Sequence, residues 1–353
     1  MKTKLLLIFT IMMSVLLTSC GNKDADNKVL SEGDDTPLSV VSYTDFSDGD
    51  GYFLKPGDKV AVISPSSLPT RKQVDATIEG LTKWGYVPVE GKYVCVEERT
   101  LDQCIEDFEW ALNDPEIQAI YCARGGSCSW EVLDRIDLSL ISKAHKPIIG
   151  YSDISTYLSA WSCAHLPAIH SSMAATFIDD PKECADIESK VLEGYIPAYQ
   201  CEGSKYDVKG QAEGILIGGN LATMTAVLDT AYDCTALDEP YILFLEDVNE
   251  DYEHIHRFIS ILKHQGVLDK AQALIFGEWI EYPEECESYN GNSRGGKFSS
   301  VADMISRQFI KDLNVPVVFG FPAGHGDNNY PLLMGNKVRL EVNDDNYTLE
   351  WIR

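Results

Sequence analysis

Positive charge is scarce in this sequence: 29 Lys and Arg stand against 55 Asp and Glu, which gives a net charge of −26. A strongly acidic chain repels the phosphates of nucleic acids and anionic lipid surfaces. We therefore expect no nucleic acid and no anionic lipid surface as a partner. What the chain has in quantity is apolar material, 44% hydrophobic and 10% aromatic, and this is typical of a globular protein with a substantial core.

No C-x-x-C pair occurs among the ten cysteines, and their spacings are irregular. This argues against a zinc site and against a complete disulfide framework. Nine cysteines remain if Cys20 is set apart as argued below, so at least one thiol should be free, while one or two disulfides stay open. His254 and His256 lie two apart on a predicted helix and therefore point to different faces. We expect no metal and no cofactor.

The first 20 residues carry two lysines, an uncharged apolar run over 5–17, and then Leu-Thr-Ser-Cys. The run is shorter than the roughly 20 residues of a membrane-spanning helix and predicts a secretory signal. Its ending resembles a bacterial lipoprotein signal, which implies that Cys20 is lipidated and anchors the protein in the cell envelope, periplasmic or surface-facing. A plain signal peptide and a signal anchor are the alternatives. Residues 21–45 predict an acidic flexible spacer.

Internal repeats and low-complexity runs are also absent, and the chain instead alternates strands with helices. Apolar strands at 60–63, at 119–122 and before Gly150 are each followed by a loop and a helical pattern. This alternation predicts an α/β protein whose first domain, 46–193, has a parallel sheet of Rossmann or flavodoxin type.

The second half of the chain predicts a different domain. Periodicity is lost over 194–210, which we interpret as a connector. Residues 211–353 then predict a mixed α/β domain, with a helix capped by Asn220 near its start and antiparallel strands from Tyr330 onwards. The roughly 310 residues after the spacer exceed what one hydrophobic core usually organises, so two domains are expected.

The first candidate residue for chemistry is Ser152, in KPIIGYSDIS. Ligands gather beyond the carboxyl ends of parallel strands, where the loop 151–153 should lie with the loops 64–67 and 124–128. Ser152 could be the ordinary N-cap of the next helix. It could also be a nucleophile on a tight strand-to-helix turn. Ile154 stands where the usual nucleophile motif has a glycine, so the residues alone leave both interpretations open.

Three further segments carry candidate chemistry. Glu246 ends an apolar strand and is either a helix-capping acid or a catalytic one, with Asp247 the more suitable cap. His325 lies in the Gly/Pro-rich loop GFPAGHGDNN, where no helix or strand needs it. The turn ARGG presents backbone amides that suit either a simple turn or an anion. Cys128, just after that turn, is a weaker candidate nucleophile that would pair with His325.

These segments together resemble the LD-carboxypeptidase family of serine peptidases, which also contains the microcin C self-immunity proteins. The resemblance covers nearly the whole chain after the spacer. Seven segments carry it in order: VAVISPSS, IYCARGG, KPIIGYSDIS, GILIGGNLATM, ILFLEDVNEDYEHIHRFISILKHQG, ALIFGEW and VPVVFGFPAGHGDNNYPLLMG.

The resemblance implies a role for each candidate residue, with the active site in a cleft between the two domains. The catalytic triad that it implies is Ser152, Glu246 and His325. The implied donors of an oxyanion hole are the backbone amides of Asp153 and of Gly125 or Gly126. The residues implied to lie near bound substrate are Arg124, Ser127 and Cys128.

The resemblance also implies the substrate class, a murein tetrapeptide cut before its terminal D-Ala. An immunity-type amidase acting on peptidyl- or aminoacyl-nucleotides is the alternative within the family. This chain has Ser127 and Cys128 where the family commonly has Tyr-Gly, and Ser171 and Ser172 follow His170 where a Gly-Pro is common. Both departures lie near the expected substrate, so they bear on substrate identity more than on the triad.

An alternative of another class is an envelope lipoprotein that binds peptide or glycan without chemistry. The presence of all three triad residues argues against it. The expected partner is therefore a muropeptide or another small peptide as substrate. The sequence does not determine the oligomeric state, so a homodimer stays open.

Overall fold

A computed structural model describes residues 38–49, 52–173, 181–280 and 298–353. The expected signal 1–20, the lipidation residue Cys20 and most of the expected spacer lie outside these residues. Within the described ranges, no helix is both long and apolar enough to cross a membrane.

Strands and helices alternate along most of the chain, as the sequence predicts. The strands are β1 (Ser39–Asp45), β2 (Lys59–Ile63), β3 (Val87–Glu90), β4 (Ile117–Cys122), β5 (Ile148–Gly150), β6 (Ala168–His170), β7 (Tyr195–Glu202), β8 (Gly210–Asn220), β9 (Tyr241–Val248), β10 (Ala273–Ile280), β11 (Val317–Phe319), β12 (Leu332–Met334), β13 (Lys337–Val342) and β14 (Asn346–Trp351). The α-helices are α1 (Arg71–Lys83), α2 (Leu101–Asn113), α3 (Trp130–Leu133), α4 (Ser139–Ala144), α5 (Ser155–Cys163), α6 (Lys182–Leu192), α7 (Leu221–Val227), α8 (Tyr252–His264), α9 (Val267–Lys270) and α10 (Val301–Ile305).

A six-stranded sheet has the order β12-β6-β5-β4-β2-β3. Its neighbours from β3 to β6 run parallel, which confirms the parallel sheet predicted for the first half of the chain. Strand β12 adds to the edge in the antiparallel sense, with Leu332 opposite His170. The first sheet is thus completed by a strand from the last part of the chain. The predicted domain boundary at 193 had placed that strand in the second domain.

An eight-stranded sheet has the order β1-β7-β14-β13-β8-β9-β10-β11. Strands β8 to β11 run parallel, and the rest pair antiparallel. The predicted mixed character of the second half, with antiparallel strands near the end of the chain, is confirmed. The described residues cluster as one compact unit, so the predicted division into two domains is not confirmed.

Two segments predicted to be irregular are strands of this second sheet. Residues 39–45, the end of the expected spacer, form β1, and residues 195–202 of the expected connector form β7 beside it. β1 is held by main-chain pairing at a sheet edge, where most of its side chains are exposed, so it shows no apolar alternation. In β7 the side chains of Ile196 to Tyr199 are all buried, which hides the period-two pattern.

Local signals explain why the helices begin where they do. Thr70 and Thr100 each form a capping box with a glutamine three residues later, at the starts of α1 and α2. Asn220 caps α7 by accepting from the Thr223 amide, as the sequence predicts. The loop before α1 contacts the turn at Gly125, because the Ser67 amide donates to the Gly125 carbonyl.

Candidate active site

Ser152 lies immediately beyond β5, on a sharp turn into α5. Its φ of 62° is in the left-handed region, which non-glycine residues rarely adopt, and such strain concentrates at functional positions. Gly150, two residues earlier, lies against Ile154: a Cβ on Gly150 would stand 2.9 Å from Ile154 Cγ2. The chain therefore makes the tight turn with a glycine before the serine, although the usual glycine after it is absent.

Ser152 does not cap the helix that follows it. No side chain caps the turn Ser152–Ile154 or α5. The carboxylate of Asp153 does not cap this helix either: it accepts from Ser66 Oγ at 2.5 Å and from the Ser129 amide at 3.0 Å. Burial raises the pKa of Asp153, and these hydrogen bonds oppose that effect. The N-cap interpretation of Ser152 is wrong, since its hydroxyl points elsewhere.

The hydroxyl of Ser152 faces His325: Ser152 Oγ lies 3.1 Å from His325 Nε2. The other ring nitrogen of His325, Nδ1, lies 2.6 Å from Glu246 Oε2. Glu246 is fully buried at the end of β9, and the His325 side chain is only 15% exposed. The three residues come from β9, from the turn after β5 and from the loop after β11, and they form one continuous series of hydrogen bonds.

Asp247, expected to cap the helix after β9, serves a different helix. Its carboxylate accepts from Asn220 Nδ2 at 2.7 Å and from the Ala222 amide at 3.0 Å, at the start of α7. The helix after β9 is capped by Asp251. Burial, with the charge of Glu246 next, raises the pKa of Asp247 to about 7. Neighbouring acids on one strand thus have separate tasks, because alternate residues of a strand point to opposite faces.

The Arg-Gly-Gly turn lies directly against Ser152. A Cβ on Gly125 would stand 2.9 Å from Ser152 Cβ and 3.4 Å from the Asp153 nitrogen. No acceptor among the described residues takes the amide hydrogen of Gly125 or of Gly126. These two amides are therefore available near the serine hydroxyl, as an oxyanion hole requires. The Ser67 amide donates to the Gly125 carbonyl at 3.1 Å, so the three loops predicted to share the sheet edge do meet there.

The other residues of this turn are exposed. Arg124 donates to the Leu68 carbonyl at 2.8 Å, Ser127 accepts from Ser66 Oγ through its carbonyl at 3.5 Å, and Cys128 has a φ of 68°. Among the described residues, none of these three side chains forms a hydrogen bond with Ser152. They border the serine through the backbone of the turn, and a substrate-binding role for them stays a prediction.

Neither a metal centre nor a cysteine nucleophile emerges from the described residues. His254 pairs with Glu250 at 2.8 Å, and no cluster of three potential metal ligands occurs in the described ranges. All eight cysteines in those ranges are free thiols, while Cys20 and Cys286 lie outside them. The expectation of at least one free thiol is confirmed. His325 Nε2 faces Ser152, not Cys128.

Sequence reasoning missed the setting of His170. The residue is fully buried, with its ring centroid 5.8 Å from that of Tyr151 and 5.1 Å from that of Phe244. Neither of its ring nitrogens has a hydrogen-bond partner in the part of the chain that the structure describes. Burial lowers its pKa to about 4, so it is neutral at physiological pH. The ring of Tyr151 also lies 4.8 Å from that of His325, so these aromatic groups form the floor beneath the serine and histidine.

A serine hydroxyl hydrogen-bonded to an imidazole, itself paired with a buried carboxylate, is the arrangement found in serine hydrolases. Here it lies on an α/β fold at the carboxyl ends of strands. Comparison with known proteins gives the family. Residues 60–171 match the LD-carboxypeptidase N-terminal domain, and residues 213–340 match the LD-carboxypeptidase C-terminal domain. The chain belongs to the LD-carboxypeptidase family of serine peptidases and is an enzyme.

Individual relatives agree with this assignment. The chain is 29% identical over 303 residues to the murein tetrapeptide carboxypeptidase of Pseudomonas aeruginosa, covering 81% of this chain and 94% of that protein. The structure of muramoyltetrapeptide carboxypeptidase from Oxalobacter formigenes has a TM-score of 0.70 at 22% identity, covering 82% and 97% of the two chains. The wild-type microcin C7 self-immunity protein has a TM-score of 0.71 at 21% identity, covering 86% and 99%. The two structures show that the fold is shared.

Proposed function

We propose that this protein is a serine LD-carboxypeptidase that hydrolyses the amide bond before the terminal D-Ala of murein tetrapeptides. One observation carries the proposal: Ser152 Oγ, His325 and Glu246 are connected by contacts of 3.1 and 2.6 Å. The similarity to the murein tetrapeptide carboxypeptidase of Pseudomonas aeruginosa supports the substrate class.

In the proposed acylation step, His325 Nε2 accepts the proton of Ser152 Oγ as the hydroxyl oxygen adds to the scissile carbonyl carbon. Glu246 accepts the Nδ1 hydrogen, which leaves Nε2 free as the base and stabilises the imidazolium that forms. The negative charge on the carbonyl oxygen is met by the Asp153 amide and by the amide of Gly125 or Gly126. The fully buried position of Glu246 strengthens its hold on the imidazole, because little water competes for the carboxylate.

His325 then returns the proton to the departing amine, which releases D-alanine and leaves an ester between Ser152 and the shortened peptide. A water molecule, deprotonated by the same imidazole, adds to this ester and frees the serine. Arg124, Ser127 and Cys128 border the turn next to the serine, and their exposed positions suit contact with the peptide.

We also propose that the enzyme works in the cell envelope, anchored by lipid on Cys20. The motif Leu-Thr-Ser-Cys after a short apolar run supports this. Envelope murein and released muropeptides are the substrates available there. Metabolic labelling with a radioactive fatty acid tests the anchor, because Cys20→Ala should abolish the label and leave the protein in the soluble fraction.

A panel of substrates tests the proposed reaction. L-Ala-γ-D-Glu-meso-diaminopimelate-D-Ala should release D-alanine, and the same peptide ending in L-Ala should react far more slowly. A glutamyl-nucleotide amide is the third substrate, and turnover of it alone would replace the proposed function by the immunity-type activity. Binding of the peptide without any cleavage, in well-folded protein, would contradict both enzymatic proposals.

A further inference from the structure

Strand β10 has a bulge beside the candidate site. Its residue Phe276 pairs with Leu245 of β9, whereas Trp279 pairs with Asp247. Two residues of β10, Gly277 and Glu278, therefore stand opposite the single residue Glu246. Bulges of this kind re-aim a side chain and are over-represented next to active sites. Here the bulge lies at the level of the buried acid that contacts His325.

The bulge places Glu278 against the loop that carries His325. The Glu278 amide donates to the Ala323 carbonyl at 3.5 Å. A Cβ on Gly326 would overlap the Glu278 carboxyl group, and a Cβ on Gly324 would stand 2.6 Å from Glu246 Oε2. The two glycines that flank His325 are therefore each covered by a carboxyl group, one from β9 and one from β10.

Among the described residues, no cation pairs with the Glu278 carboxyl group. Its Oε2 atom is buried and accepts no hydrogen bond of ordinary geometry from any of them. Burial, followed by the charges of Asp327 and Glu246, raises the pKa of Glu278 to about 7 against the opposing effect of the nearby Gly326 amide. Glu278 as a whole is half-buried, but a carboxyl oxygen that is buried without a partner weakens the folded state. Because Glu278 lies beside the loop that carries His325, this cost to stability points to a role in the active site and not in the hydrophobic core.

We propose that Glu278 is a positioning residue for His325. Its carboxyl group holds the backbone at Gly326, so that the imidazole stays between Glu246 and Ser152. This inference rests on the proposed role of His325 as the base. Misplacing a catalytic group by about 1 Å lowers a rate by about a hundredfold. Ser152 should therefore react measurably more slowly in an enzyme whose His325 loop has lost the contact with Glu278.

The charge of Glu278 adds a second effect. The charged groups around it are Glu246 on β9 and Asp327 on the loop after β11. When Glu278 ionises, its negative charge favours the protonated imidazole nearby. Removal of the charge, with the shape kept, should therefore move the pH midpoint of Ser152 reactivity downwards.

Labelling of Ser152 by a fluorophosphonate tests the inference without a peptide substrate. The rate is measured from pH 5 to 9 for the wild type, Glu278→Ala, Glu278→Gln and the control Glu253→Gln, an exposed acid on α8. We expect Glu278→Ala to lower the plateau rate by about tenfold or more. Glu278→Gln should restore most of the plateau but shift the midpoint to lower pH, and Glu253→Gln should match the wild type.

A merely structural Glu278 would lower the melting temperature but leave the labelling rate of folded protein and its pH midpoint unchanged, and this result overturns the inference. If Glu278→Ala does not fold, the glutamine variant decides alone, because an unchanged midpoint and plateau contradict the proposal.

The outcomes also separate this inference from the proposed function. If Ser152 is labelled but no D-alanine is released, the proposed murein substrate is wrong. The labelling rates of the Glu278 variants then still decide the inference about Glu278. If Ser152 is not labelled, the proposed nucleophile fails. The imidazole NMR signals of His325, compared between the wild type and Glu278→Gln, then test positioning alone, and identical signals overturn it.

Discussion

Replacing Glu246 by glutamine isolates the contribution of one buried charge. Glu246 is fully buried, and its Oε2 atom lies 2.6 Å from His325 Nδ1. Glutamine keeps the shape but carries no charge, and its amide nitrogen can face Nδ1. That contact favours the tautomer with its proton on Nε2, which cannot accept the Ser152 proton.

The size of the effect follows from the loss of the general base. General-base catalysis by a positioned side chain contributes about 10²- to 10⁴-fold, and replacing a triad acid by its amide lowers kcat by about 10⁴-fold through the wrong tautomer. The expected loss of kcat is therefore about 10²- to 10⁴-fold. Stability should move the other way, because Glu246 Oε1 is buried without a partner and the neutral amide removes a buried charge.

The assay is kcat for D-alanine release, with the free energy of unfolding in urea measured on the same samples. Asp247→Asn is the matched control, since Asp247 is a buried acid on the same strand that serves α7. It should lose about 1–2 kcal/mol of stability, as a lost helix cap does, and keep kcat within about threefold. A Glu246→Gln enzyme that folds and retains more than a tenth of wild-type kcat would refute the role assigned to Glu246.

Three further variants test other parts of the account. Gly125→Ala places a Cβ 2.9 Å from Ser152 Cβ, so kcat should fall by about a hundredfold with little change in melting temperature; wild-type kcat would contradict this. Cys128→Ser should keep kcat within about twofold, whereas a large loss would revive the cysteine nucleophile. His170→Leu should flatten the pH dependence of unfolding between pH 6.5 and 4. Burial holds the pKa of His170 near 4 in the folded protein, so as the pH falls from 6.5 this histidine is protonated in the unfolded chain before it is protonated in the folded one. The free energy of unfolding should therefore fall by about 3 kcal/mol across that window. Equal slopes in the wild type and the variant, measured by urea unfolding, would contradict it.

The parallel sheet and its loops were predictable from the sequence because their signals are local. Apolar strands followed by helices predict parallel neighbours, and the carboxyl ends of parallel strands share one edge. The loops holding Ser66, Gly125 and Ser152 therefore meet as expected. The series of contacts from Ser152 through His325 to Glu246 is of another kind. It joins residues far apart in the chain, and the residues alone left each of the three with an ordinary alternative.

The remaining features depend on packing that a sequence does not display. β1 is held by main-chain hydrogen bonds, so its side chains show no alternation of apolar and polar residues. β7 is buried on both faces, which hides the same alternation. Asp247 caps a helix that precedes it in the chain, whereas capping rules look only at the helix that follows. Glu278 reaches the site through a bulge of one extra residue, which no side-chain pattern announces.

The central claim is that Ser152 is the nucleophile of an LD-carboxypeptidase. The most direct test gives L-Ala-γ-D-Glu-meso-diaminopimelate-D-Ala to the protein and to Ser152→Ala, with free D-alanine measured over time. The account predicts release by the wild type and none above the uncatalysed rate by the variant, at equal secondary structure and melting temperature. Equal release by both proteins, or none by a well-folded wild type, would contradict it.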